Sequence, residues 1–247
     1  MRAHAWTSTA ATTLGFVAVW FAFSRGYPPD LWPGPAHVLR ALWALAEEHL
    51  LAPHIFASLG RMLTGYLFAI AAAVPLGFVL GTWSRGHVAL DPLLQVLRPI
   101  SPIAWFPLAV LWFGVGDRPA VFIIALATFF PVFMTTVNSV RAVPGNYLRL
   151  ARNFGATRPF LFTAVLIPAA VPQVVTGLRI GLGISWVNLV AGEMLGAQSG
   201  LGYLIVDARN SLRTDRIVAV MLLIGMLGLV LDRFMSALVK AVPGARG

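Results

Sequence analysis

Hydrophobic positions in this chain gather into long runs. They do not alternate as in a half-buried strand, and they do not form the narrow stripe of a soluble helix. A helix crosses the hydrocarbon core of a bilayer in ~20 mostly apolar residues. Six stretches reach that length or approach it, at residues 9–24, 58–81, 92–113, 119–138, 171–194 and 217–238. The first is the least regular, because Thr7, Ser8, Thr9, Thr12 and Thr13 crowd its start. Arg2 followed by an apolar core also fits a cleaved signal peptide. A retained span is the expectation, since five more spans follow.

The third stretch carries Pro92, Pro99, Pro102 and Pro107. Proline removes a backbone donor and kinks a helix, and in lipid the freed carbonyls must find partners inside the protein. The third span is therefore expected to be broken and to pack against protein or a cavity. Residues 35–54 follow another pattern. Val38, Leu42, Leu45 and Leu50 recur at helical spacing, with Arg40, Glu47 and Glu48 on other faces. That segment is too short and too polar to span, and reads as an amphipathic helix lying at the outer surface.

Composition agrees with lipid as the main solvent. Of the 247 residues, 58% are hydrophobic and 11% charged, with a mean hydropathy of +0.81. A soluble domain carries roughly a quarter of its residues as charges. No cysteine is present, which excludes disulfides, thiolate metal sites and a cysteine nucleophile. His4, His37, His49, His54 and His87 form no metal-binding pair, and no cofactor is expected. The net charge of +9 does not form a soluble basic face, so nucleic acid is not an expected partner. With both termini in the cytoplasm, 11 basic residues fall inside and 7 outside, in line with the positive-inside rule. The stretch 139–165 carries four arginines and no acid and reads as cytoplasmic. The whole chain, residues 1–247, reads as one all-α polytopic membrane domain of about six transmembrane helices, with a cytoplasmic loop at about 139–170.

Within that loop the chain reads LRLARNFGATRPFLFTAVLIPAAVP, residues 148–172. Gly155 can take the left-handed backbone that ends a helix and turns the chain. Arg158 and Pro159 open a new helical piece, and Pro168 and Pro172 bracket the start of the next span. The expected result is a short helical hairpin, a shape suited to a groove on a partner.

This loop resembles the coupling loop of binding-protein-dependent ABC importer permeases, whose pattern is EAA, three residues, G, nine residues, then I-x-L-P. The spacing holds throughout. Arg149-Leu150-Ala151 stands for EAA, Gly155 is the glycine, with Ala156 beside it, and Val165-Leu166-Ile167-Pro168 closes the pattern. Leu150, Val165 and Ile167 are mild departures. Arg149 reverses a charge, so an acid-dependent contact does not carry over. SLGRMLTGYLFAIAAAVPLGFVLG, RPISPIAWFPLAVLWFGVGDRP, TGLRIGLGISWVNLVAGEML and GLGYLIVDARN are similar to the nitrate, sulfonate and taurine branch of that family.

The resemblance implies a type I ABC importer permease in the bacterial cytoplasmic membrane. It implies two permease subunits, expected to be identical, and two ATP-binding subunits beneath them, one on each coupling loop. It also implies a periplasmic or lipid-anchored binding protein that delivers a small, expectedly anionic solute such as nitrate, taurine or an alkanesulfonate. Hydrolysis belongs elsewhere, because a phosphate-cradling loop needs GxxxxGK[ST] and the only lysine is Lys240.

Trp105, Asn138, Trp186, Asn188 and Glu193 are the expected lining of the pathway, with Glu193 at an outer gate. Gly177, Gly181 and Ser185 share a spacing of four, as do Gly77 and Gly81. Such small residues let helices approach closely, either within one subunit or between two. An ion-coupled secondary transporter is the alternative. It would need acidic or histidine relays inside the spans, whereas Glu193 and Asp232 lie at span ends. A membrane enzyme would need a clustered catalytic set, which the sequence lacks.

Overall fold

The computed structural model describes residues 2–241, with side chains for residues 11–240. The side chains that open the first expected span, and Arg246, lie outside the described residues. Among the described residues the chain is helical and has no strand. The helices in order are α1 (Arg2–Ser24), α2 (Pro35–Glu47), α3 (Leu51–Thr82), α4 (Ser84–Leu97), α5 (Phe106–Phe113), α6 (Asp117–Arg141), α7 (Gly145–Asn153), α8 (Arg158–Phe160), α9 (Ile167–Gly196), α10 (Leu201–Asn210) and α11 (Thr214–Ala241). A 3₁₀ turn at Pro102–Trp105 precedes α5, and a wide π turn at Leu161–Leu166 joins α8 to α9.

Among the described residues, four continuous helical stretches are long and apolar enough to cross a membrane, at Leu51–Thr82, Asp117–Arg141, Arg158–Gly196 and Thr214–Lys240. The expected third span is broken, as its prolines require: Ser84–Leu97 and Pro102–Phe113 meet at an 82° bend. Helix α1 runs the whole way from Arg2 to Ser24, and Ala11–Ser24 is the apolar part whose side chains are described. Two boundaries differ from expectation. Helix α2 stops at Glu47 because His49 adopts a positive φ of 56°, so residues 51–54 belong to α3. No break separates the loop from the fifth span either. Pro168 cannot donate to the carbonyl one turn back, and the chain widens into the π turn ahead of it without leaving the helix.

The chain forms two compact units. One comprises the residues up to 57 and 199–226. Its small core is Val38, Ala41 and Ala219, flanked by Trp20, Leu42 and Val218, which matches the apolar face read for α2. Trp20 donates its indole N–H to the carbonyl of Pro33 at 3.2 Å. His54 Nδ1 accepts from the N–H of Gly200 at 2.8 Å and its ring stacks on Tyr203.

The second unit comprises residues 58–198 and those from 227 on. It is built on α3, α6 and α9. Lipid is as apolar as leucine, so helices in a bilayer are held by close packing and polar contacts more than by burial itself. The glycine spacing supplies that approach. A Cβ at Gly77 or Gly81 would come within 2.6 Å of Thr136 or Val140, and one at Gly177 or Gly181 within 2.6 Å of Thr135 or Val132. The spaced small residues thus pack inside one subunit. Along α3 and α6 the paired numbers rise together, so these helices run parallel; α9 runs against α6, with Thr128 and Ser185 hydroxyls 2.6 Å apart. Tyr66 fastens α3 to α9 by donating to the carbonyl of Leu178 at 2.8 Å.

Candidate functional site

Three features of the second unit carry chemistry. The first is the hairpin between α6 and α9. Helix α7 ends at Asn153, Gly155 has φ of +79°, and α8 starts at Arg158. Nothing lies within 4 Å of a Cβ built on Gly155, so backbone conformation alone is what calls for glycine there. The hairpin is anchored at its base, where Leu166 and Ala170 pack with Phe78, Val140 and Val174. Its tip carries no such cover. Phe154 is 83% exposed, and Tyr147, Leu150 and Phe160 are also exposed. Together with Ala151, Gly155, Ala156 and Val165 they line an open hollow of about 690 Å³. Arg149 is exposed on α7. Ile167 and Pro168 are the first residues of α9, beyond the hollow.

The second feature is a cavity of about 470 Å³ between the broken span, α6 and α9. It brings Trp105, Asn138 and Asn188 together, along with Arg98, Phe130 and Thr135. It runs along α6 from Leu126 to Asn138, which is roughly 18 Å of helix. Trp186 is not in it. Its buried indole packs on α11, where Nε1 would be 2.8 Å from a Cβ at Gly228.

The third feature holds Glu193, which is also away from the cavity lining. Glu193 is 1% exposed. Arg61 Nη1 lies 2.6 Å from its Oε1, and Ser58 Oγ donates to both carboxylate oxygens at 2.8 and 2.9 Å. Arg61, 5% exposed, also donates through Nε to Asp117 Oδ1 at 2.9 Å, with Nη2 2.7 Å from the same oxygen. One guanidinium thus ties α3 to both α6 and α9. In the count of basic residues by side Arg61 is one of the 7 on the outer side, and no local pattern pairs it. The available signal was an arginine four residues into an apolar run, since a charge there needs a partner. A second pair, Arg179 with Asp232, links α9 to α11 through two hydrogen bonds of 3.0 Å, but it is exposed. No cluster of potential metal ligands occurs among the described residues.

Comparison with known proteins places these features in a family. Residues 50–243 match the sequence profile of the "binding-protein-dependent transport system inner membrane component". The nitrate import permease protein NrtB of Synechocystis is 35% identical over 235 residues, covering 92% of this chain and 85% of that one. The taurine transport system permease protein TauC of Escherichia coli is 33% identical over 239 residues, covering 94% and 87%. In fold, the chain is similar to one in an inward-facing structure of the MetNI methionine ABC transporter. The TM-score is 0.71 at 19% identity, over 80% of this chain and 98% of that one. The long apolar helices, the broken span and these matches together make this a multi-pass membrane protein. The chain belongs to the binding-protein-dependent transport system inner membrane components, the permease subunits of ABC importers.

Proposed function

We propose that this chain pairs with a second copy of itself, docks two ATP-binding subunits through its hairpin, and passes a small anion delivered by an external binding protein. The observation that carries the docking is the hairpin. It is a rigidly based helical knob whose Leu150, Phe154 and Phe160 face outward around an apolar hollow. Exposed aromatic and aliphatic groups on a firm base are the usual anchors of a protein interface. With the arginine-rich hairpin in the cytoplasm, both termini fall inside and Arg61–Glu193 falls toward the external side. Hydrolysis then occurs on the partner, since this sequence has no phosphate loop. Closure of the partners would drag the hairpins together and switch the helices between two arrangements. The anionic cargo rests on NrtB and TauC, the relatives named for nitrate and taurine.

The test is Gly155→Val. A β-branched residue at φ of +79° is strained by ~1–2 kcal/mol, which distorts the knob and leaves the spans alone. Membrane abundance stays normal, while co-purification of the ATP-binding subunit and transport both fall. Normal transport at normal abundance would remove the hairpin from the mechanism.

A further inference from the structure

We infer that the cavity at the broken span is an anion-recognition station inside the permease, centred on Arg98, with Trp105, Asn138 and Asn188 as its neutral donors. This rests on the importer reading above and goes beyond it, because it gives the permease its own selectivity for charge.

The chemistry of the lining points one way. Arg98 directly follows α4, at the 82° break in the span. Among the described residues its guanidinium makes no hydrogen bond or ion pair, although it lines the cavity. An arginine within a membrane domain normally faces a carboxylate or marks a pathway. The other intramembrane arginines of this unit do have carboxylates, Arg61 on Glu193 and Arg179 on Asp232. Arg98 has none, and no acidic side chain is among the described residues that line the cavity.

The neutral polar groups around it supply N–H donors beside the acceptor oxygens of Thr135, Asn138 and Asn188. Asn138 makes no side-chain hydrogen bond among the described residues. Asn188 donates one N–H to the carbonyl of Ile184 at 2.9 Å, which leaves its second N–H for the cavity. Trp105 contributes an indole N–H, a group that can only donate. Guanidinium presents a planar fork that matches the paired oxygens of nitrate, sulfonate or carboxylate. Arg98 and Asn138 are exposed, and the apolar walls beside them, Phe130, Met134 and Ile184, focus the field of one unpaired cation. Solute sites in membrane proteins recur where a helix is interrupted, and here the interruption is lined by the cation itself.

The test uses the absence of cysteine. Met134→Cys puts a thiol in the cavity without touching any proposed donor. The full chain in membrane vesicles is labelled with two methanethiosulfonate reagents, one bearing a sulfonate and one a quaternary ammonium, each normalised to its rate with free cysteine. The sulfonate reagent should react faster, and adding Arg98→Gln should lower that preference at least about tenfold. Arg98→Lys should keep most of the preference, because the charge remains, but weaken protection by millimolar nitrate or methanesulfonate, because the fork is lost. Glycerol should not protect.

Equal rates for the two reagents, a preference untouched by Arg98→Gln, or a thiol that neither reagent reaches would each overturn the station. Retention of the ATP-binding subunit is measured on the same vesicles. An indifferent labelling ratio with that subunit retained defeats the station and leaves the importer reading intact. Selective labelling with no subunit retained defeats the importer reading and leaves the station standing.

Discussion

The Arg61–Glu193 contact and the hairpin tip lie in the same compact unit and treat their side chains in opposite ways. At the first, charged groups are buried and fully matched by one another and by Ser58. At the second, large apolar groups are left uncovered, with Phe154 the most exposed of them. The three-helix core thus satisfies itself within one chain, whereas the tip leaves its apolar surface for something else to cover. Substitutions in the core should therefore appear in the stability of the isolated chain, and substitutions at the tip only in the presence of a partner.

The largest expected effect is at Glu193. Glu193→Ala removes the buried carboxylate that Arg61 and Ser58 both contact. Breaking one side of a buried pair costs about 3 kcal/mol or more, and a chain of this size loses roughly 10 °C in Tm for that. Arg61→Met combined with Glu193→Leu should recover much of the loss, since apolar packing can replace a buried pair. Thermal unfolding in detergent reads both variants. An unchanged Tm for Glu193→Ala would mean that the core is not held at this point.

A smaller loss is expected at Gly77. Its Cβ would sit 2.6 Å from Thr136 Cβ and 3.2 Å from the carbonyl of Phe133, so backbone has to shift. Gly77→Val should cost about 1–3 kcal/mol as overpacking. Gly183 provides the control: it lies on α9 with nothing within 4 Å of an added Cβ, and Gly183→Val should leave Tm near its starting value. Equal losses at the two sites would point to helix propensity and not to close packing.

Local signals made much of this legible. Run length gave the long helices, the prolines gave the broken span, and Gly155 between two helical pieces gave the hairpin with its positive φ. Spacing of small residues marked Gly77, Gly81, Gly177 and Gly181, but it could not say whether they pack within or between subunits. What stayed hidden needs register between distant segments. Arg61 and Glu193 are 132 residues apart, and nothing near either one names the other. Trp186 and Asn188 are neighbours on one helix, yet a helix turns about 100° per residue. One faces Gly228 and the other the cavity, a choice that only packing makes. The cavity around Arg98 is completed by residues of α6 and α9, which no local pattern brings to it.

The smallest expected change in stability is at the tip, and there the comparison is put to its hardest test. Phe154→Ser removes the most exposed aromatic ring of the hairpin. A surface substitution away from caps and strain changes stability by no more than about 0.5 kcal/mol, so Tm of the isolated chain should hold. Exposed apolar anchors that a partner buries can each be worth about 2 kcal/mol or more of binding. The ATP-binding subunit should therefore dissociate roughly 30-fold more readily, and the chain should lose it during purification although its helices are intact. Co-purification and Tm, measured on one sample, separate the two regions cleanly. A Phe154→Ser chain that unfolds early but keeps its partner would reverse the assignment: the tip would then be packed against its own chain, and the docking surface would have to be sought elsewhere on the cytoplasmic side.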